Sequence, residues 1–141
     1  MKLSQVIQTA LTLIFILTSW ILPTAAKATE QIKLYIVQPL DGETVGQTFV
    51  VKFALEGMAL VPAGIDKPDS GHHHLLIDSD KLPLSGVAMG KEVKHFGKAQ
   101  TETEITLPPG KHTLQLVLGD HAHRPHSPVL VSKRITITVR E

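Results

Sequence analysis

Beyond residue 28 the chain never sustains a helical period. Short runs of alternating apolar and polar residues recur instead, at intervals of ~10 residues, cut by Pro- and Gly-containing turns. Gln31 to Gln38 sets Ile32, Leu34 and Ile36 against Lys33, Tyr35 and Val37 and breaks at Pro39-Leu40-Asp41-Gly42. Gln47 to Leu55 follows, with Phe49, Val51, Phe53 and Leu55 on one face, and pairs naturally with the first run. Thr101 to Leu107 and His112 to Gly119 alternate on either side of Pro108-Pro109-Gly110-Lys111, which predicts a β-hairpin, and Val131 to Arg140 closes the chain as a strand with one exposed face. Six to seven short strands in about 113 residues make a single core and point to an all-β fold, an antiparallel sandwich of immunoglobulin or fibronectin type, with a small barrel as the competing architecture.

The segment before the strands has a different character. Met1-Lys2 precedes an apolar run from about Ala10 to Leu22, then Pro23-Thr24-Ala25-Ala26-Lys27-Ala28. Charge, apolar length and small-residue ending are those of a secretory signal peptide, and the run is shorter than the ~20 residues that span a bilayer. Residues 1–28 are therefore expected to be a signal, and residues 29–141 one periplasmic or secreted domain with no membrane span. The absence of cysteine excludes a disulfide framework, a lipidated cysteine and a thiolate metal site. Removing Lys2 and Lys27 leaves 12 of the 14 basic residues against 13 acidic ones. That balance gives no basis for binding nucleic acid or an anionic membrane surface.

Histidine is the compositional anomaly: all eight fall in the expected mature part. Gly71-His72-His73-His74-Leu75-Leu76-Ile77-Asp78 reads as a strand buried on both faces, with His72 and His74 on one side and His73 on the other. Asp120-His121-Ala122-His123-Arg124-Pro125-His126 follows another strong strand. Imidazole suits copper and zinc, so His72, His74, His121 and His123 are the leading candidate ligands, with His95 and His126 in reserve. His95 has the charge of Lys94 beside it. Asp78 and Asp120 are candidates to orient such ligands or to bind directly. His112 shares parity with Leu114, Leu116 and Leu118 and is expected to be a hydrogen-bonded core-edge residue. Met58 and Met89, in irregular segments, gain meaning only if the metal is Cu(I).

Glu56 to Ser70 holds two prolines and two glycines and reads as a long loop, while Ser79 to Lys98 fits a short edge strand or an irregular crossover. No nucleophile elbow, phosphate-binding loop or dinucleotide-binding glycine pattern occurs, and Gly110, Gly119 and the other glycines read as isolated turn residues. The expected function is non-catalytic binding of a copper- or zinc-class ion. The alternative is a metal-free interaction module whose loops bind an envelope protein or polymer.

Three blocks carry a family resemblance: Gly71 to Asp78, His95-Phe-Gly-Lys-Ala-Gln-Thr-Glu102, and the segment Pro109 to Arg124-Pro-His126. Together they resemble the exported bacterial family labelled domain of unknown function 4399. The resemblance implies a short exported single domain and places His72, His73, His74, His95, His112, His121, His123 and His126 within its typical motifs. It implies no activity.

Overall fold

The computed structural model describes residues 31–141, and the expected export signal at residues 1–28 lies outside them. Among the described residues no helix is long and apolar enough to cross a membrane. The strands in chain order are β1 (Lys33–Gln38), β2 (Thr44–Val45), β3 (Thr48–Glu56), β4 (Ala59–Leu60), β5 (Ser70–Ile77), β6 (Lys94–His95), β7 (Glu102–Thr106), β8 (Gly110–Gly119) and β9 (Ile135–Val139). One sheet has the order β1-β3-β7; the other runs β2-β9-β8-β5, with β4 and β6 paired in turn along the outer edge of β5. The pairings are antiparallel except β2 with β9 and β4 with β5, which are parallel.

Period-two alternation explains how the two sheets close on each other. Leu34, Phe49, Val51, Phe53 and Ile105 from the first sheet meet Leu75, Leu114, Leu116, Leu118, Ile135, Ile137 and Val139 from the second, and Phe96 joins them. All-β architecture with two packed sheets is thus the fold that the alternation anticipates. β1 and β3 pair as expected, with Leu34 opposite Leu55 and Ile36 opposite Phe53. The reading of Glu56 to Ser70 as loop holds except at its ends, where Glu56 closes β3 and Ser70 opens β5, and for β4, two residues that pair with Ser70 and Gly71.

The expected hairpin between the seventh and eighth strands does not form. β7 pairs with β3 and β8 pairs with β5 and β9, so Leu107–Pro109 carries the chain from one sheet to the other. Two physical reasons explain the difference. Pro108 and Pro109 carry no N–H for a hairpin ladder, and Leu107 spends its own N–H on the Gln47 carbonyl at 2.9 Å. Ile105 and Leu116 can face the same core either as neighbours in one sheet or from opposite sheets, and parity alone does not distinguish the two.

At the far end of β5 the chain is anchored by an ion pair. Asp78, at φ 52°, accepts from His112 Nδ1 at 2.6 Å and from the Thr113 amide at 2.8 Å, while His112 Nε2 lies 2.8 Å from the Pro108 carbonyl. Both ring nitrogens face acceptors, so the doubly protonated ring satisfies both. The hydrogen bond to Asp78 is the main reason that the His112 pKa is raised. His112 is therefore the core-edge structural residue that its parity suggests. Asp78 serves it rather than the other histidines.

Candidate metal centre

The face of the second sheet that turns away from the sandwich core carries the histidines. In β5, His73 points inward and packs edge-on against Phe53 with ring centroids 4.8 Å apart, its Nδ1 donating to the Gln100 carbonyl at 3.1 Å. His72 and His74 point outward, as their spacing on a strand requires. Opposite His74 in register stands His95 of β6, which brings a third ring to the same face. Lys94, one residue earlier, turns to the other side and lines a separate depression with Leu75 and Ile77, so its charge is directed away.

The fourth ring comes from a turn. After β8 the chain makes a tight loop in which the Asp120 carboxylate accepts from the amides of Ala122 (2.8 Å) and Arg124 (2.9 Å) and from Arg124 Nε (3.0 Å). Inside that loop His123 is held at φ 61°, a left-handed conformation uncommon for histidine, with its amide on the Asp120 carbonyl at 3.0 Å. Asp120 thus orients His123 through the backbone. The loop then returns along β8 through Leu130 and Ser132, so the turn projects over the outer face.

His72, His74, His95 and His123 each offer a ring nitrogen within 4.8 Å of the others. Their six ring-centroid separations span only 4.4 to 6.0 Å, as four rings grouped about one point would give. His72 Nε2 and His123 Nδ1 stand 3.2 Å apart, close to the ~3.3 Å edge of a tetrahedron with metal–nitrogen bonds of about 2.0–2.1 Å. His72 and His74 are almost wholly buried, at 0% and 1% exposure. Among the described residues, His72 Nδ1 and both nitrogens of His74 have no hydrogen-bond partner. Buried polar atoms without partners cost about 1–3 kcal/mol each, so a cluster of them needs an explanation.

Burial is the leading cause of the low basicity of these rings, followed for His72 by His95 and His123 and for His74 by His72, His95 and His123. His72 is pushed down to about 4 and His74 to about 3, and His95 is lowered too, mainly by burial and then by His123. At neutral pH His72, His74 and His95 present lone pairs rather than charge, which is the form a metal ion requires.

Three of the four leading candidates from the sequence, His72, His74 and His123, converge here together with the reserve His95. His121 is directed elsewhere, with Nδ1 3.3 Å from Asp66 Oδ1. His126 lies against Gly71, its buried Nε2 unpartnered and outside the group of four. Met89 is one of the two irregular-segment methionines that the sequence ties to a site only if the metal is Cu(I). It lines a shallow pocket of about 260 Å³ together with His74, His95 and His123.

Glycines make the room, and the reading of Gly119 as an isolated turn residue is wrong, since it lies within β8. A Cβ on Gly119, directly across β8 from His72, would stand 2.5 Å from His74 Cε1. One on Gly71 would strike the Gly119 carbonyl at 2.6 Å, and one on Gly97 would strike the His95 ring. The readable signal is a glycine at a strand position with no turn to make, Gly71 beside the histidines of β5 and Gly119 before those of the next turn.

The family profile described as Domain of unknown function (DUF4399) matches residues 51–140, a span that contains all four converging histidines. The protein belongs to that family. No functionally curated protein and no solved structure matches the chain. In this member of the family the converging rings come from β5, β6 and the turn after β8.

Proposed function

We propose that the domain is a non-catalytic binder of a single copper- or zinc-class ion, held by His72, His74, His95 and His123. The observation that carries this reading is the convergence of four ring nitrogens within 4.8 Å, with those of His72 and His74 buried and largely unpartnered. Neutral imidazoles are ligands for these ions, each through the one ring nitrogen that carries its lone pair. The test is native mass spectrometry of the untagged domain with Zn(II) and Cu(II). The parent takes up one ion per chain. Replacing His95 and His123 together with alanine weakens binding by at least about 100-fold, more than loss of an outer-shell partner costs. Replacing His121 and His126 together leaves the stoichiometry unchanged. Equal loss in the two double variants would sink the assignment.

The same reading places the protein outside the cytoplasm, supported by the signal-like composition of residues 1–28 and by a site made without thiolates. N-terminal sequencing of the exported protein is expected to begin at Lys27 or Thr29. Recovery of the intact Met1 form from membranes would refute export by cleavage.

A further inference from the structure

The four-histidine site has a thioether on its open side. Met89 is half-buried in a stretch, residues 84–90, whose other members are exposed. Its backbone is tied to the site, the Met89 amide donating to the His123 carbonyl at 2.9 Å, and Gly86 is tied likewise to Pro125 at 3.1 Å. The Met89 methyl lies over Gly119, where the His74 ring also lies. Unlike Met58, Met89 is not among the side chains packed on the sandwich core. A core-filling role does not account for where it sits.

The charges around the pocket add a second argument. Besides the three rings and Met89, the pocket is lined by Gly90, Lys91 and Val93, with no carboxylate. The nearby acids are committed: Asp120 to Arg124, Asp66 to His121, and Glu92 to the Gly90 amide at 2.8 Å. Every donor is therefore neutral, and the one charged lining residue is a cation. The cost of placing an ion in such surroundings rises with the square of its charge, which penalises a divalent ion more than a monovalent one. Thioether sulfur is a soft donor that favours Cu(I), which can take Met89 with the three rings of this pocket as a four-donor set, whereas Zn(II) is served by the four imidazoles.

From this donor set we infer that the physiological ion is copper, and that Met89 is a ligand that holds it as Cu(I). The inference rests on the four-histidine reading above and refines it. The experiment measures three affinities for the parent and for Met89→Leu: Cu(I) under argon with ascorbate, by competition with bicinchoninic acid, and Cu(II) and Zn(II) by competition with chelators. Leucine keeps the volume of the side chain and removes the sulfur. The expected result is Cu(I) binding weakened by ~10-fold or more, with Zn(II) and Cu(II) changed less than about 2-fold. X-ray absorption of the Cu(I) parent then shows a sulfur neighbour that Met89→Leu lacks. Unchanged Cu(I) affinity in the variant, or equal weakening of all three ions, overturns the inference while leaving the four-histidine site standing. A parent that binds none of the three ions overturns both.

Discussion

At pH 7.5 a copper or zinc ion at about a hundredfold excess over Kd raises the stability of the domain by about 2.7 kcal/mol, which moves Tm up by roughly 10 °C, and part of that shift survives at pH 5.5. Ordinary histidines, with pKa values near 6.5, would lose the ion below about pH 6, and the sequence alone supports that expectation. The fold changes it. With His72 held at about 4 and His74 at about 3, protons do not compete for these two rings until the pH approaches 4. The part of the metal stabilisation that these two buried rings carry is expected to be lost between pH 5 and 4 rather than between 7 and 6.

The metal-free domain follows the same groups. Between pH 6.5 and about 4 the unfolded chain protonates His72 and His74 while the folded chain does not. The unfolded state therefore binds more protons, and stability falls with falling pH by up to ~1.4 kcal/mol per pH unit for each ring. His112 has the opposite sign. Its raised pKa stabilises the fold below the ordinary histidine value, and that contribution fades as the pH rises through the folded pKa. Thermal melts at pH 7.5, 5.5 and 4.0, with chelator and with metal, separate these effects. A metal-induced shift that is already gone at pH 5.5 would mean that the site histidines titrate like exposed ones.

Much of the architecture could be read from alternation, because a residue's parity on a strand fixes its face whatever its neighbours are. That is why His72 and His74 were expected on one side and His73 on the other, and why His112 was assigned to the core edge. Pairing is a different kind of information. β7 and β8 would bury the same residues as a hairpin or across two sheets, and Pro108-Pro109 signals a turn by propensity while its missing donors bar the hairpin ladder. The site shows the same division. His95 joins through a pairing only two residues long, against His74 and Leu75, too short to leave a periodic signal. His123 rather than His121 joins because the backbone at 123 is left-handed. The hint was Asp120, whose carboxylate can accept from amides two and four residues on and close such a turn.

Gly119→Ala is expected to damage the metal site more than the fold. Gly119 is an ordinary strand residue, with no left-handed φ that only glycine would favour. On backbone grounds alone, alanine there would be neutral or stabilising by about 0.5–1 kcal/mol. The surroundings reverse that expectation. The added Cβ would stand 2.5 Å from His74 Cε1, 2.9 Å from Met89 Cε and 3.0 Å from His74 Nδ1. Met89 sits on an exposed loop and can give way, but the His74 ring is buried and must shift out of line with the other three. Overpacking of this kind costs about 1–3 kcal/mol, and if most of that strain falls on the bound geometry the ion binds ~10–100-fold more weakly. Gly110→Ala provides the contrast. Gly110 has φ 141° with open space around its missing Cβ, so alanine there strains the backbone and lowers Tm without touching a histidine. Chelator competition and thermal melts on the two variants should therefore separate, with affinity lost in Gly119→Ala and stability lost in Gly110→Ala. A Gly119→Ala domain that binds metal as tightly as the parent would show that the His74 ring is not held where the four-ligand site needs it.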